Sequence, residues 1–173
     1  MTKALLRLAR EEDLPALAAL ARSSFTSAFA AVNTEEDMAA YLEQAFAPEV
    51  LAREFADPDS YFTVVTDGDE LLGYCKLRRN SAEPCIKAER NIELERLYTA
   101  SNAVGKGIGS LLMEQAIDTA RSEGNEVLWL GVWEDNHGAI RFYERHGFAD
   151  VGSHAFMLGT DRQIDRIMQL LLP

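Results

Sequence analysis

The chain is 173 residues long, 47% hydrophobic and 26% charged, proportions that suit one soluble globular domain with a sizeable core. Its formal net charge of −11 argues against nucleic-acid binding, because a phosphate backbone selects Lys- and Arg-rich surfaces. Two cysteines, Cys75 and Cys85, imply no disulfide framework, and no apolar run approaches the roughly 20 residues of a membrane helix, so a cytoplasmic protein without membrane contacts is expected.

Residues 4–9 read as a short first strand. Glu11, Glu12 and Asp13, with Pro15 in the first turn, open a helix through residue 22, since acids favour the positive end of the helix dipole. Asn33 or Thr34 caps a second helix; Thr34 and Asp37 have capping-box spacing, and Met38, Tyr41, Leu42 and Phe46 form the apolar stripe. Pro48 starts a short helix to about residue 56, which Asp57, Pro58 and Asp59 end. Residues 61–66 and 70–77 flank Asp67-Gly68-Asp69, a strong hairpin signal. Residues 81–88, with Pro84, read as a loop.

Residues 91–98 alternate as a strand, with Ile92, Leu94 and Arg96 expected on one side and Glu93, Glu95 and Leu97 on the other. A helix from the glycine-rich stretch to about residue 122 stops at Gly124. Residues 127–133 are nearly all apolar, as a strand buried on both faces requires. Asn136 or Asp135 caps a helix over 137–145, closed by Gly147. From Phe148 two more strands follow, the last over 164–172, and an exposed edge on a terminal strand permits a homodimer. The order predicts one mixed α/β domain over residues 1–173 with a central β-α-β-α unit.

Gly105, Gly107 and Gly109 stand at alternate positions between a strand and a helix. Glycine lets backbone N–H groups crowd toward a ligand, and a helix start offers unpaired donors and a positive dipole end. The stretch therefore proposes a phosphate or pyrophosphate cradle, the other reading being a ligand-free turn that caps a helix. The dinucleotide pattern G-x-G-x-x-G fails, because its last glycine falls at Ser110, and no glycine is followed by Lys and then Ser or Thr as a Walker loop requires.

A second motif follows. Asn136 and Tyr143 lie seven residues apart, two helical turns, and project from one face. Asn136, Ala139, Phe142, Tyr143, Gly147 and Phe148 spell N-x-x-A-x-x-F-Y-x-x-x-G-F, and with the glycine loop this resembles the GNAT superfamily of acyl-CoA N-acyltransferases over most of the chain. Phe25-Thr26-Ser27-Ala28-Phe29, Tyr41-Leu42-Glu43-Gln44-Ala45-Phe46, Glu93-Leu94-Glu95-Arg96-Leu97-Tyr98, Trp129-Leu130-Gly131-Val132-Trp133-Glu134 and Gly152-Ser153-His154-Ala155-Phe156 are similar to its PaiA-type branch, associated with spermidine and spermine.

The resemblance implies a mixed, mostly antiparallel sheet flanked by helices. It also implies an enzyme using acetyl-CoA as co-substrate, a small-molecule amine as acceptor, and no metal. The pyrophosphate would meet the backbone of Gly105, Lys106, Gly107, Ile108, Gly109 and Ser110, with Lys106 adding charge. Leu97, Tyr98 and Thr99 would pair with the pantetheine amides like a strand and supply a donor to the thioester carbonyl. Asn136 would hydrogen-bond the pantetheine arm, or act as a plain N-cap.

Tyr143 would protonate the departing sulfur, or else be a packing aromatic. The base is read as Glu95, with Glu93 and Glu134 as alternatives; each also fits a solvated strand face. Where one branch carries a glutamate on the fifth strand, this chain has Gly131. Phe25, Phe29, Tyr41, Glu43 and Trp133 are the expected acceptor residues. His137, His146 and His154 are too scattered to propose a metal site. One departure stands out: Val104 occupies the position where the loop usually begins with Gln or Arg. A CoA-sensing module with little turnover, or an acetyltransferase of protein N-termini or lysines, are the competing functions.

Overall fold

In a computed structural model of the chain, residues 4–173 are described. Seven strands, β1 (Leu5–Leu8), β2 (Ser60–Asp67), β3 (Glu70–Arg78), β4 (Asn91–Thr99), β5 (Val127–Trp133), β6 (Ala149–Leu158) and β7 (Asp161–Leu171), form one sheet in the order β1-β2-β3-β4-β5-β7-β6. Every neighbouring pair is antiparallel except β4 and β5. The helices are α1 (Leu14–Phe29), α2 (Glu35–Phe46), α3 (Pro48–Ala56), α4 (Ile108–Ser122) and α5 (His137–Arg145). The expected sheet, mostly antiparallel and flanked by helices, is the observed one.

Two cores lie on opposite faces of the sheet. Leu112, Met113 and Ala116 of α4 pack on Ile92, Leu94, Leu128 and Leu130, and the apolar side of α5 joins them. On the other face Leu17 and Phe25 of α1 and Phe46 of α2 pack on Phe62, Val64 and Tyr74. Helix α1 runs two turns past the expected stop at residue 22, because Leu17, Ala21, Phe25 and Phe29 repeat every fourth residue and all four are buried. Gly73 lets α4 approach β3: a Cβ there would lie 2.8 Å from the Tyr98 carbonyl oxygen and 2.9 Å from Ile108.

Strand β4 departs from simple alternation. Its register with β3 runs Lys76↔Arg96 and then Leu77↔Leu94, leaving Glu95 as an extra, bulged residue. The bulge resets the pleat. Leu97 joins Leu94 and Ile92 on the α4 side, and Arg96 turns toward Phe46 on the other. The expected grouping of Arg96 with Ile92 and Leu94 is thus corrected by one unpaired residue. The last strand is not at an edge: β7 lies between β5 and β6, so the sheet edges belong to β1 and β6.

Thr34 caps α2 by accepting the Asp37 backbone N–H at 3.1 Å, but the Asp37 carboxylate does not reach back to complete a capping box. It accepts instead from the Thr160 backbone N–H at 2.9 Å in the β6–β7 turn. There Gly159 has φ +61°, and a Cβ would collide with Asp37. The first turn of α2 is therefore tied to the hairpin.

Candidate active site

Strands β4 and β5 pair over only three rungs, Asn91↔Val127, Ile92↔Leu128 and Glu93↔Trp129. Beyond Glu93 they separate, so Leu97, Tyr98 and Thr99 keep β3 on one side and, among the described residues, have no strand partner on the other. A cleft of about 390 Å³ opens there, lined on the β4 side by Glu93, Glu95, Leu97 and Tyr98 and on the β5 side by Gly131 and Trp133. Asn136 and Tyr143 complete one wall, and Phe25, Phe29, Tyr41 and Phe156 another. An unpaired strand edge of this kind accepts an extended amide-bearing ligand in the manner of an added strand.

The glycine loop lies at the start of α4. Gly105 and Gly107 have φ +78° and +82°, with no atom of the described residues within 4 Å of a Cβ placed on either. The two glycines thus serve the backbone conformation and leave the amides uncovered. Lys106 donates its N–H back to Ala103 and Leu111 to Gly107, whereas Gly107, Ile108, Gly109 and Ser110 have no backbone acceptor among the described residues. Lys106 and Val104 are exposed beside them. These residues fit a pyrophosphate.

Asn136 is both a cap and a cleft residue. Its Oδ1 accepts the Ala139 backbone N–H at 3.2 Å, closing the start of α5. Its amide nitrogen makes no hydrogen bond among the described residues, so one side chain satisfies both readings. Tyr143, two turns on, packs between Phe142 and Phe148 with its hydroxyl unbonded among the described residues. Burial pushes its phenol up to about 12, which holds the proton on the oxygen at neutral pH. Tyr98 turns its ring into the α1–α3 core against Tyr74, leaving its backbone to the cleft.

The three glutamates expected as bases separate. Glu95, on the bulge, is ion-paired with the Nζ of Lys76, a β3 side chain that is only 3% exposed. Lys76 also meets Glu54 of α3 at 3.3 Å, and Arg96 clamps Glu54 through two bonds of 2.6 and 2.9 Å. Glu95 therefore belongs to a group of two half-buried acids and two buried bases. Glu93 lies at the last paired rung, where burial raises its carboxyl and one oxygen has no partner among the described residues. Glu134 is exposed beyond the end of β5, outside the cleft.

The end of the cleft between α1, α2 and β6 is aromatic and acidic. Phe25 stacks on Tyr41 with ring centroids 4.3 Å apart, Phe29 lies 4.8 Å from Trp133, and Phe156 meets both Phe29 and Tyr41 edge-on. The expected Phe25, Phe29, Tyr41 and Trp133 are all brought together. Glu43 is not: it is exposed on α2, away from the cleft. Phe156, His154 and Asp165 were not among the expected site residues, yet all three line the cleft. Alternation in β6 puts Phe156 and His154 on one face, and Asp165 is one of two acids in a strand of mixed polarity; only the pairing of β6, β7 and β5 unites them. Among the described residues no group of three or more metal-ligating side chains is gathered, and no helix is long and apolar enough to cross a membrane.

The profile of the acetyltransferase (GNAT) family matches residues 14–148. An uncharacterized N-acetyltransferase from the pepI 3′ region of Lactobacillus delbrueckii subsp. lactis is 36% identical over 162 residues, 94% of each chain. Among solved structures, the PaiA N-acetyltransferase of Thermoplasma acidophilum in complex with coenzyme A superposes with a TM-score of 0.76 at 24% identity, covering 98% of this chain and 99% of that one. YncA from Salmonella typhimurium with its cofactor acetyl-CoA gives 0.70 at 22% identity, covering 99% and 95%. At such identities the two structures show the fold; the profile and the curated relative show the family. The chain belongs to the acetyltransferase (GNAT) family and is an N-acetyltransferase.

Proposed function

We propose that the protein moves an acetyl group from acetyl-CoA directly to a primary amine of a small cationic acceptor, of which spermidine and spermine are the favoured members. The observation that carries this reading is the opening between β4 and β5, with an unpaired strand edge and glycine loop at one end and aromatic rings among carboxylates at the other. Acetyl-CoA supplies the activated acetyl group. Gly107 to Ser110 would hold its pyrophosphate, and Leu97 to Thr99 with Asn136 would hold its arm. A β4 amide would stabilise charge on the thioester oxygen, and Tyr143 would give its proton to the sulfur.

The acceptor pocket supports a cation. Glu93, Glu95 and Asp165 line it, and of the two basic residues there Arg96 is committed to Glu54. Aromatic faces accept both methylene chains and ammonium groups. Thiol release from acetyl-CoA, measured against polyamines, monoamines, amino acids and peptides, tests the reading. Turnover with di- and polyamines at kcat/KM well above that for peptides is expected. Turnover restricted to peptide N-termini or lysines would replace the small-molecule acceptor, and tight CoA binding without turnover on any amine would replace the enzyme with a sensing module.

A further inference from the structure

We infer that Asp165 takes the proton which the acceptor's ammonium must lose before it attacks, and that His154, oriented by Glu83, passes this proton on to solvent. The inference rests on the acetyl-transfer reading above. Asp165 sits on β7 opposite Trp133 of β5 on one side and His154 of β6 on the other. Its carboxylate lies over Gly131: a Cβ there would come within 3.2 Å of Asp165 Oδ2. A glycine on β5 thus leaves room for an acid from the next strand at the open half of the cleft.

Behind Asp165 stands an ordered pair. His154 Nδ1 is 2.8 Å from Glu83 Oε2, and its Nε2 faces Asp165 Oδ2 at 3.6 Å. A carboxylate only accepts, so Nδ1 carries the proton and Nε2 turns toward Asp165. Glu83 comes from the loop between β3 and β4, which is anchored by Cys85 and Ile86 packing against Val127, Trp129 and Ile167. Its second oxygen accepts the Cys85 N–H at 3.2 Å, and only 6% of its side chain is exposed. Burial opposes its charge, but the His154 bond prevails and its carboxyl lies below the ordinary range. His154 keeps 40% of its side chain exposed, which provides the exit.

Burial pushes the Asp165 carboxyl up to about 6 against the pull of His154, a value matched to accepting a proton near neutral pH. The other charged or titratable groups lining the cleft with it are Tyr41 on α2, Glu93, Glu95, Arg96 and Tyr98 on β4, and Tyr143 on α5. Glu95 is held by Lys76 and Arg96 by Glu54, while Glu93 lies at the closed end where the strands still pair.

The proton balance closes. An N–H bond of the ammonium breaks and an O–H bond forms on Asp165. The freed lone pair bonds to the thioester carbon, the C–S bond breaks, and the sulfur takes the Tyr143 proton. A second N–H proton restores Tyr143, and the Asp165 proton leaves through His154 Nε2 to water. One proton is released per acetyl group transferred.

The test compares kcat/KM against pH for wild type, Asp165→Asn, His154→Gln, Glu83→Gln and Glu93→Gln, using an alkylammonium polyamine and a hydrazide that is already neutral at assay pH. Wild type should lose rate as pH falls through about 6. Asp165→Asn should lose that limb and about 10²-fold in rate with the polyamine, but no more than about threefold with the hydrazide. His154→Gln and Glu83→Gln should lose about tenfold with the polyamine alone. Equal losses on both acceptors, or a limb that survives in Asp165→Asn and disappears in Glu93→Gln, would overturn the inference and leave acetyl transfer standing. Absence of turnover on every amine overturns both. Carbon-13 NMR of the Asp165 carboxyl gives a readout independent of activity: a midpoint near 6 that rises in His154→Gln is expected, and an ordinary aspartate midpoint overturns the inference.

Discussion

Burial raises the oxygens of both Tyr143 and Asp165, which suits the opposite tasks proposed for them. The phenol is raised to about 12 with nothing bonded to it among the described residues, so it keeps its proton at neutral pH, as the donor proposed for a departing thiolate must. Tyr143→Phe should lower kcat about 10²-fold while CoA affinity, measured by calorimetry, changes less than about twofold. The Asp165 carboxyl is raised from 3.8 to about 6, so the folded state binds its proton more tightly than the unfolded chain. The stability associated with that proton is present below pH 3.8 and is lost as pH rises to about 6. Asp165→Asn should therefore gain about 1–3 kcal/mol of stability at pH 7, read from urea melts, while losing activity. A variant both more stable and less active cannot be explained by unfolding.

At the scale of elements, the site is held by contacts between parts distant in the chain. Helix α4 reaches β3 only because Gly73 has no side chain, and that contact sets where the glycine loop stands. Gly73→Ala should cost about 1–3 kcal/mol in thermal melts, because the atoms it meets include backbone that has no room to yield. The Asp37–Thr160 tie joins α2, which carries Tyr41, to the hairpin that carries Phe156. Asp37→Ala should raise KM for the amine several-fold and leave that for acetyl-CoA unchanged, since the tie touches only the acceptor end. Glu54 stands between Lys76 and Arg96, and replacing it with Ala leaves buried cations short of a partner. A loss of about 3 kcal/mol is expected, measured by denaturant titration.

Across the whole molecule, the net charge of −11 and the carboxylates of the cleft act in the same direction on a polycation. Long-range attraction would raise the local concentration of the proposed polyamine acceptor and is screened within about 10 Å at 0.1 M salt. Raising salt from about 0.05 to 0.5 M should increase KM for a polyamine several-fold and alter that for a neutral hydrazide little, in steady-state assays. An equal response for both acceptors would remove electrostatics from acceptor capture.

Local chemistry determined much of this protein. Strand and helix order, the Thr34 and Asn136 caps, the glycine loop and the Asn136–Tyr143 face follow from periodicity and turn chemistry acting over a few residues, so they were legible without a fold. The extension of α1 was written in the same code, in the four-residue repeat that ends at Phe29. Tertiary structure decided what depends on register and on charges meeting across the sheet. One bulged residue reversed the sides of Arg96 and Leu97, and a buried lysine on β3 engaged Glu95. Glu83, His154 and Asp165, up to 82 positions apart in the chain by their own numbers, met beside Gly131 only when β7 inserted between β5 and β6. Strand pairing over such separations is set by the global packing of two cores, which no local pattern encodes.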